Sequence, residues 1–141
     1  MNPRPCRAVP GLLGLFLSFV AGTGTAGATV DEAILRHGEE VYSRCLACHS
    51  VEGNRTGPQH CGLFGRRAGT APGFDGYSPA MRASGIVWNG ETLDRFLADP
   101  LAVVPMTFMT YAGVPDPADR AALIAWLAEA TRPGGSCHLS D

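Results

Sequence analysis

No lysine occurs anywhere in the 141 residues, so all eleven basic side chains are arginines. Runs of arginine and ladders of aromatic residues are absent too, which argues against a nucleic-acid interface. No carboxylates are grouped as an acid–base pair, because the acids are spread over expected helix ends and loops. No stretch reads as a strand, and no strand–helix alternation surrounds the cysteines, which removes the setting of a thioredoxin-like redox pair. A second ligand pair at zinc-finger spacing is likewise missing, since Cys61 and Cys137 do not form one and His60 is adjacent to Cys61. Long apolar runs are scarce. The one at 11–21, "GLLGLFLSFVA", falls short of the roughly 20 continuous apolar residues that a spanning helix needs.

That run has a different setting. Arg4 and Arg7 precede it, and Ala26-Gly27-Ala28 follows it as a small-residue cleavage pattern. The layout is that of a secretory signal peptide over 1–28, which predicts export to the periplasm and a mature single domain over 29–141 with a short C-terminal tail. In that mature part nine arginines face thirteen acids. Glycine (18) and proline (11) are plentiful, so much of the chain is expected to be loop. A small core crossed by loops needs a disulfide, metal or cofactor to hold it.

Three stretches carry helical signals. In 31–45 the residues Ile34, Gly38, Val41 and Cys45 recur at helical spacing as one apolar face, and Asp31 and Glu32 suit the positive end of the helix dipole. In 89–100 Asn89 is a fitting cap, Leu93, Phe96 and Leu97 face inward, and Pro100 ends the helix. In 116–130 Asp116 caps, Pro117 suits the first helical position, and Leu123, Trp126, Leu127 and Ala130 form a stripe. The stretch between the first two helices is turn-rich yet contains Leu63, Phe64, Phe74, Tyr77, Ile86 and Trp88. A connection of that length with so many apolar side chains is expected to wrap an apolar object that need not be protein.

The object is suggested by "CLACH". Two thiols three apart can add to the two vinyl groups of one porphyrin, and the next residue, His49, then stands beneath the iron; Cys-x-x-Cys-His is the attachment signal of c-type haem. A sixth ligand must come from elsewhere, among Met81, Met106, Met109, His37, His60 and His138. Met81 reads as a core filler, whereas "VPMTFMTYAG" places Met106 and Met109 where a loop could cover the open haem face. A thioether there raises the reduction potential relative to a second histidine.

From 38 to 130 the motifs "GEEVYSRCLACHS", "TGPQHCGLFGRRAG", "APGF", "YSPAM", "GIVW" and "LIAWLAEAT" occur in order. Together they resemble the class I cytochromes c, in the mitochondrial-type branch with bacterial members. The resemblance implies an all-α fold, three to five helices and long loops wrapped around one covalent haem, and the role of a soluble one-electron carrier. It implies Cys45 and Cys48 as thioether anchors and His49 as one iron ligand. Met109, four residues after Pro105, is implied as the other, with Met106 standing where the family usually has glycine. Pro58 matches the carbonyl that accepts from the histidine, a contact that makes the nitrogen at iron a better donor. Tyr77, Trp88 and Thr107 match groups bonded to the haem propionates, and Arg66 a nearby cation. Gly38 and Trp126 match the crossing of the terminal helices, and Phe96 replaces a tyrosine often bonded to the ligand sulfur.

Where mitochondrial members carry a lysine ring, Leu101, Ala102, Phe108 and Pro115 stand here, with Arg44 and Arg55 keeping two charges. Steering by a positive field is weakened. The expected partners are redox proteins docking on a more apolar face, with the chain itself a monomer without nucleic acid or membrane anchor. Two rivals stay open: a haem peroxidase or gas sensor with a labile methionine, and a dedicated electron-transfer subunit of one redox complex. Cys61 and Cys137 are free to pair with each other, stay reduced, or bridge two chains, since spacing does not fix connectivity.

Overall fold

Five α-helices and one short 3₁₀ turn carry the computed structural model, which describes residues 31–137. The leader expected over 1–28 and the candidate ligand His138 lie outside the described residues. The first helix, α1 (Glu32–Tyr42), starts where the Asp31 carboxylate accepts from the Ala33 N–H at 2.9 Å, and it runs into the 3₁₀ turn Ser43–Cys45. This delivers Cys45 at the end of a rigid element. Helix α2 (Pro79–Ala83) is a single turn capped by the Ser78 hydroxyl. Helix α3 (Gly90–Ala98) opens with a reciprocal box in which Asn89 and Thr92 each satisfy the other's backbone N–H. Helix α4 (Pro100–Val103) and helix α5 (Pro117–Ala130) both begin with a proline behind a capping aspartate, Asp99 and Asp116. Among the described residues there is no strand, only isolated bridges at Arg67–Val87 and Pro133–Cys137.

The terminal helices pack on each other through Gly38. A Cβ built on Gly38 would lie 2.2 Å from the Ala122 carbonyl oxygen and 2.6 Å from Trp126 Cβ. Only glycine lets the two backbones approach so closely. Val41, Tyr42, Leu123 and Leu127 are buried around this crossing, joined by Leu93, Phe96 and Leu97 of α3. Ile34 departs from the expected apolar face: it is 45 % exposed, one turn before the crossing, and Tyr42 is buried instead. Pro100 follows the end of α3 as expected but has a second role. Helix α3 stops at Ala98, two residues before Pro100, and Pro100 then starts α4.

Polar ties lock the helices laterally. Asp119 on α5 accepts from His37 at 2.9 Å and from Arg44 at 3.0 Å. Arg120 pairs with Asp94 of α3 at 2.8 Å and donates to the carbonyls of Val114 and Pro115, so α3, α5 and the segment behind Met109 share one cation. The two leftover thiols are joined. Cys61 and Cys137 form a disulfide across 76 positions, pinning the C-terminal tail to the 46–78 loop.

Candidate functional site

Between the helices and the 46–78 loop lies a cavity of about 300 Å³. Its inner wall is apolar, with Leu63, Met81, Leu93, Phe96, Leu97 and Leu123 among its residues. All nine candidate site residues border it: Cys45, Cys48, His49, Pro58, Arg66, Tyr77, Trp88, Thr107 and Met109. A second hollow of about 440 Å³, lined by Ser84, Thr92 and Arg95 among others, holds none of them.

Backbone turns set the first three residues. The N–H groups of Cys48 and His49 both donate to the Cys45 carbonyl, so both cysteines and the histidine issue from one tight turn. Cys45 and Cys48 are the free thiols among the described residues. Burial pushes the Cys45 thiol up, against the opposing pull of Arg44. The His49 Nδ1–H donates to the Pro58 carbonyl at 2.8 Å, which leaves Nε2 with the free lone pair. Withdrawal from water holds the His49 imidazole below its usual range, with the Pro58 bond opposing. A neutral ring with one committed nitrogen is a ready metal ligand.

Two contacts absent from the expectations crowd that ring. A Cβ on Gly57 would come 2.4 Å from His49 Cε1. The His60 ring stacks on His49 with centroids 4.6 Å apart and planes 20° apart. His60 is thereby a neighbour of His49 rather than an independent candidate across the cavity. Burial first, then His49 and Arg66, push His60 down to about 3. Its Nδ1 accepts from the Tyr42 hydroxyl at 3.1 Å, and burial likewise raises the Tyr42 phenol, which keeps its proton.

The methionines separate by exposure. Met109 is half-buried on the cavity wall, and its N–H donates to the Thr107 hydroxyl at 3.2 Å. Met106 is 82 % exposed at a left-handed φ of 67°, and Met81 is buried in the core. His37 is on the surface, tied to Asp119.

The expected haem would need two reduced thiols, an imidazole with a free nitrogen, a soft second ligand, apolar walls and donors for its carboxylates. The donor set is present. Arg66 gives two of its guanidinium N–H groups to the Cys61 and Gln59 carbonyls, yet its buried Nε has no partner among the described residues. An orphaned cationic donor beside an apolar cavity calls for an anion. Tyr77, whose hydroxyl accepts from the Ala71 N–H, stands under the Arg82 guanidinium, 5.5 Å from the ring centre. The residues fit the group.

No family model matches the chain. It is similar to cytochrome c2 of Rhodomicrobium vannielii, 40 % identical over 120 residues that cover 83 % of this chain and 90 % of that protein. Cytochrome c2 of Blastochloris viridis is 39 % identical over 123 residues, 85 % of this chain and 94 % of the relative. Among solved structures, cytochrome cH from Methylobacterium extorquens superposes with a TM-score of 0.64 at 38 % identity, covering 67 % of this chain and 96 % of that one.

Proposed function

The chain belongs to the class I cytochromes c, and from that membership we propose how its own residues hold the haem and meet its partners. Like its relatives it is an electron carrier with one covalent c-type haem, not an enzyme. When bound, that group supplies an iron that alternates between ferric and ferrous. Cys45 and Cys48 anchor it through two thioether bonds. His49 binds the iron through Nε2, with Pro58 holding the Nδ1 proton and strengthening the donor. Met109 is the second ligand, a soft sulfur that favours the reduced metal. Arg66, Tyr77, Trp88 and Thr107 receive the propionates. Phe96, Leu97 and Leu123 exclude water from the cavity, and a dry site disfavours the added charge of the ferric state.

One observation carries this reading. The two free thiols, His49 and Met109 border a single apolar cavity, while Cys61 and Cys137 are committed to each other. The test is expression with haem-maturation machinery followed by mass and absorption spectra. The expected product is red, heavier than its polypeptide by one haem, and shows the weak red-edge band of iron–sulfur ligation when oxidised. Met109→Ala removes that band and Met106→Ala retains it. A colourless product of bare polypeptide mass overturns the assignment.

The leader pattern at 1–28 supports a periplasmic location, and no helix among the described residues is long and apolar enough to cross a membrane. The carrier works as a monomer and meets donor and acceptor through the apolar rim, where Leu101 and Phe108 are exposed and Phe108 borders the cavity.

A further inference from the structure

We infer that His60 is a positioning residue for His49: its stacked ring, keyed to the Tyr42 hydroxyl, sets the plane in which the His49 imidazole meets the iron. The inference rests on His49 being the ligand proposed above. Hydrogen bonding through Nδ1 to Pro58 fixes one nitrogen of the ring but still permits rotation about that bond. A ring lying nearly parallel to His49 at 4.6 Å removes this freedom, because turning His49 would drive its edge into the neighbour. His60 is itself held at both ends. Its backbone N–H donates to the Ser50 and Val51 carbonyls, directly after the Cys-x-x-Cys-His turn. Its ring is held by Tyr42 at 3.1 Å, and Tyr42 is packed on Trp126 with ring centres 4.4 Å apart. The next residue, Cys61, is bonded to Cys137, and the Gly62 N–H donates to the Thr131 carbonyl. The wall against which His49 rests is therefore tied to both terminal helices. An aliphatic side chain would fill the same space without a flat face or a fixed rotation.

The orientation of an axial imidazole plane governs the order and spread of the hyperfine-shifted haem-methyl proton resonances in the ferric state. The experiment compares those resonances in the ferric holoprotein with those of His60→Leu and Tyr42→Phe. His60→Leu is expected to reorder or compress the methyl shifts. Tyr42→Phe, which keeps both rings and frees the rotation of His60, moves them in the same direction by less. Lowered unfolding midpoints with methyl patterns superimposable on the parent would mean a packing role only, and would overturn the inference. If His60→Leu does not load haem, Tyr42→Phe decides by the same criterion. A parent protein without shifted methyl resonances instead defeats the proposed ligation, so the two failures are distinguishable.

Discussion

Gly57 leaves the His49 imidazole no room to retreat, which makes it the most sensitive small residue at the site. A methyl group there would stand 2.4 Å from Cε1, well inside contact distance, and the obstructed group is an imidazole already held by Pro58 and His60. Gly57→Ala is expected to shift the ring and weaken the iron bond proposed for it, seen as a fraction of high-spin haem in the oxidised spectrum. An unchanged spectrum would mean that the loop yields instead. That Cys45, Cys48, His49 and Met109 would meet at one cavity was legible in the sequence, because Cys-x-x-Cys-His is local and the family resemblance picks out the methionine four residues after a proline. Gly57, Tyr42 and the stacking of His60 were not. Their meaning lies in contacts with residues distant along the chain or in a ring face, and neither leaves a periodic trace.

At the level of elements, the meeting of α1 and α5 pits two effects against each other. Gly38→Ala gains about 1 kcal/mol of helix preference, but the added methyl meets the Ala122 backbone oxygen at 2.2 Å, which cannot swing aside as a side chain does. Overpacking costs about 1–3 kcal/mol. Because the obstacle is backbone, the cost should sit toward the upper end and the clash should win, lowering stability in urea unfolding by up to about 2 kcal/mol. The same helices are joined by Asp119. Partial burial raises its carboxyl, but the bonds from Arg44 and His37 outweigh this and hold it below the usual value of 3.8. A carboxyl depressed in the folded state stabilises above its unfolded pKa and loses that contribution as pH falls through the lower folded value. Asp119→Asn should therefore lower the melting temperature at pH 7. The gap from the parent narrows below about pH 4, as thermal scans across pH will show. The three longer helices were readable from caps and apolar spacing: Asn89 and Asp116 cap as expected, while Asp31, expected inside the first turn, is the cap itself. The single turns α2 and α4 were not, because a proline after Ser78 or Asp99 in a turn-rich stretch looks the same whether or not a helix follows. Ile34 kept the helical spacing and still faces water, because periodicity marks a face but not how far the neighbouring helix extends along it.

Across the described residues the Cys61–Cys137 bond closes a loop of 76 positions around the cavity. Closing a loop of that length removes roughly 4–5 kcal/mol of chain entropy from the unfolded state in the loop-closure treatment, and measured losses on removing native disulfides are about 2–5 kcal/mol. Replacing both cysteines with alanine should lower holoprotein stability in guanidinium unfolding by about 2–5 kcal/mol. A loss below 1 kcal/mol would mean that the haem alone organises this region. The connectivity itself was beyond the sequence, which left three fates open for two thiols.

The bond also sorts sulfur. If the chain matures in the periplasm as proposed, two sulfurs would have to end on carbon and two on each other, and exchange between the sets would leave the haem or the tail unattached. Cys61 and Cys137 are buried once joined, whereas Cys48 is exposed and Cys45 half-exposed. The finished crosslink is thus shielded from attack by the free thiols among the described residues, which themselves stay open to solvent. Folding the tail onto the loop keeps the two kinds of sulfur apart by burial alone.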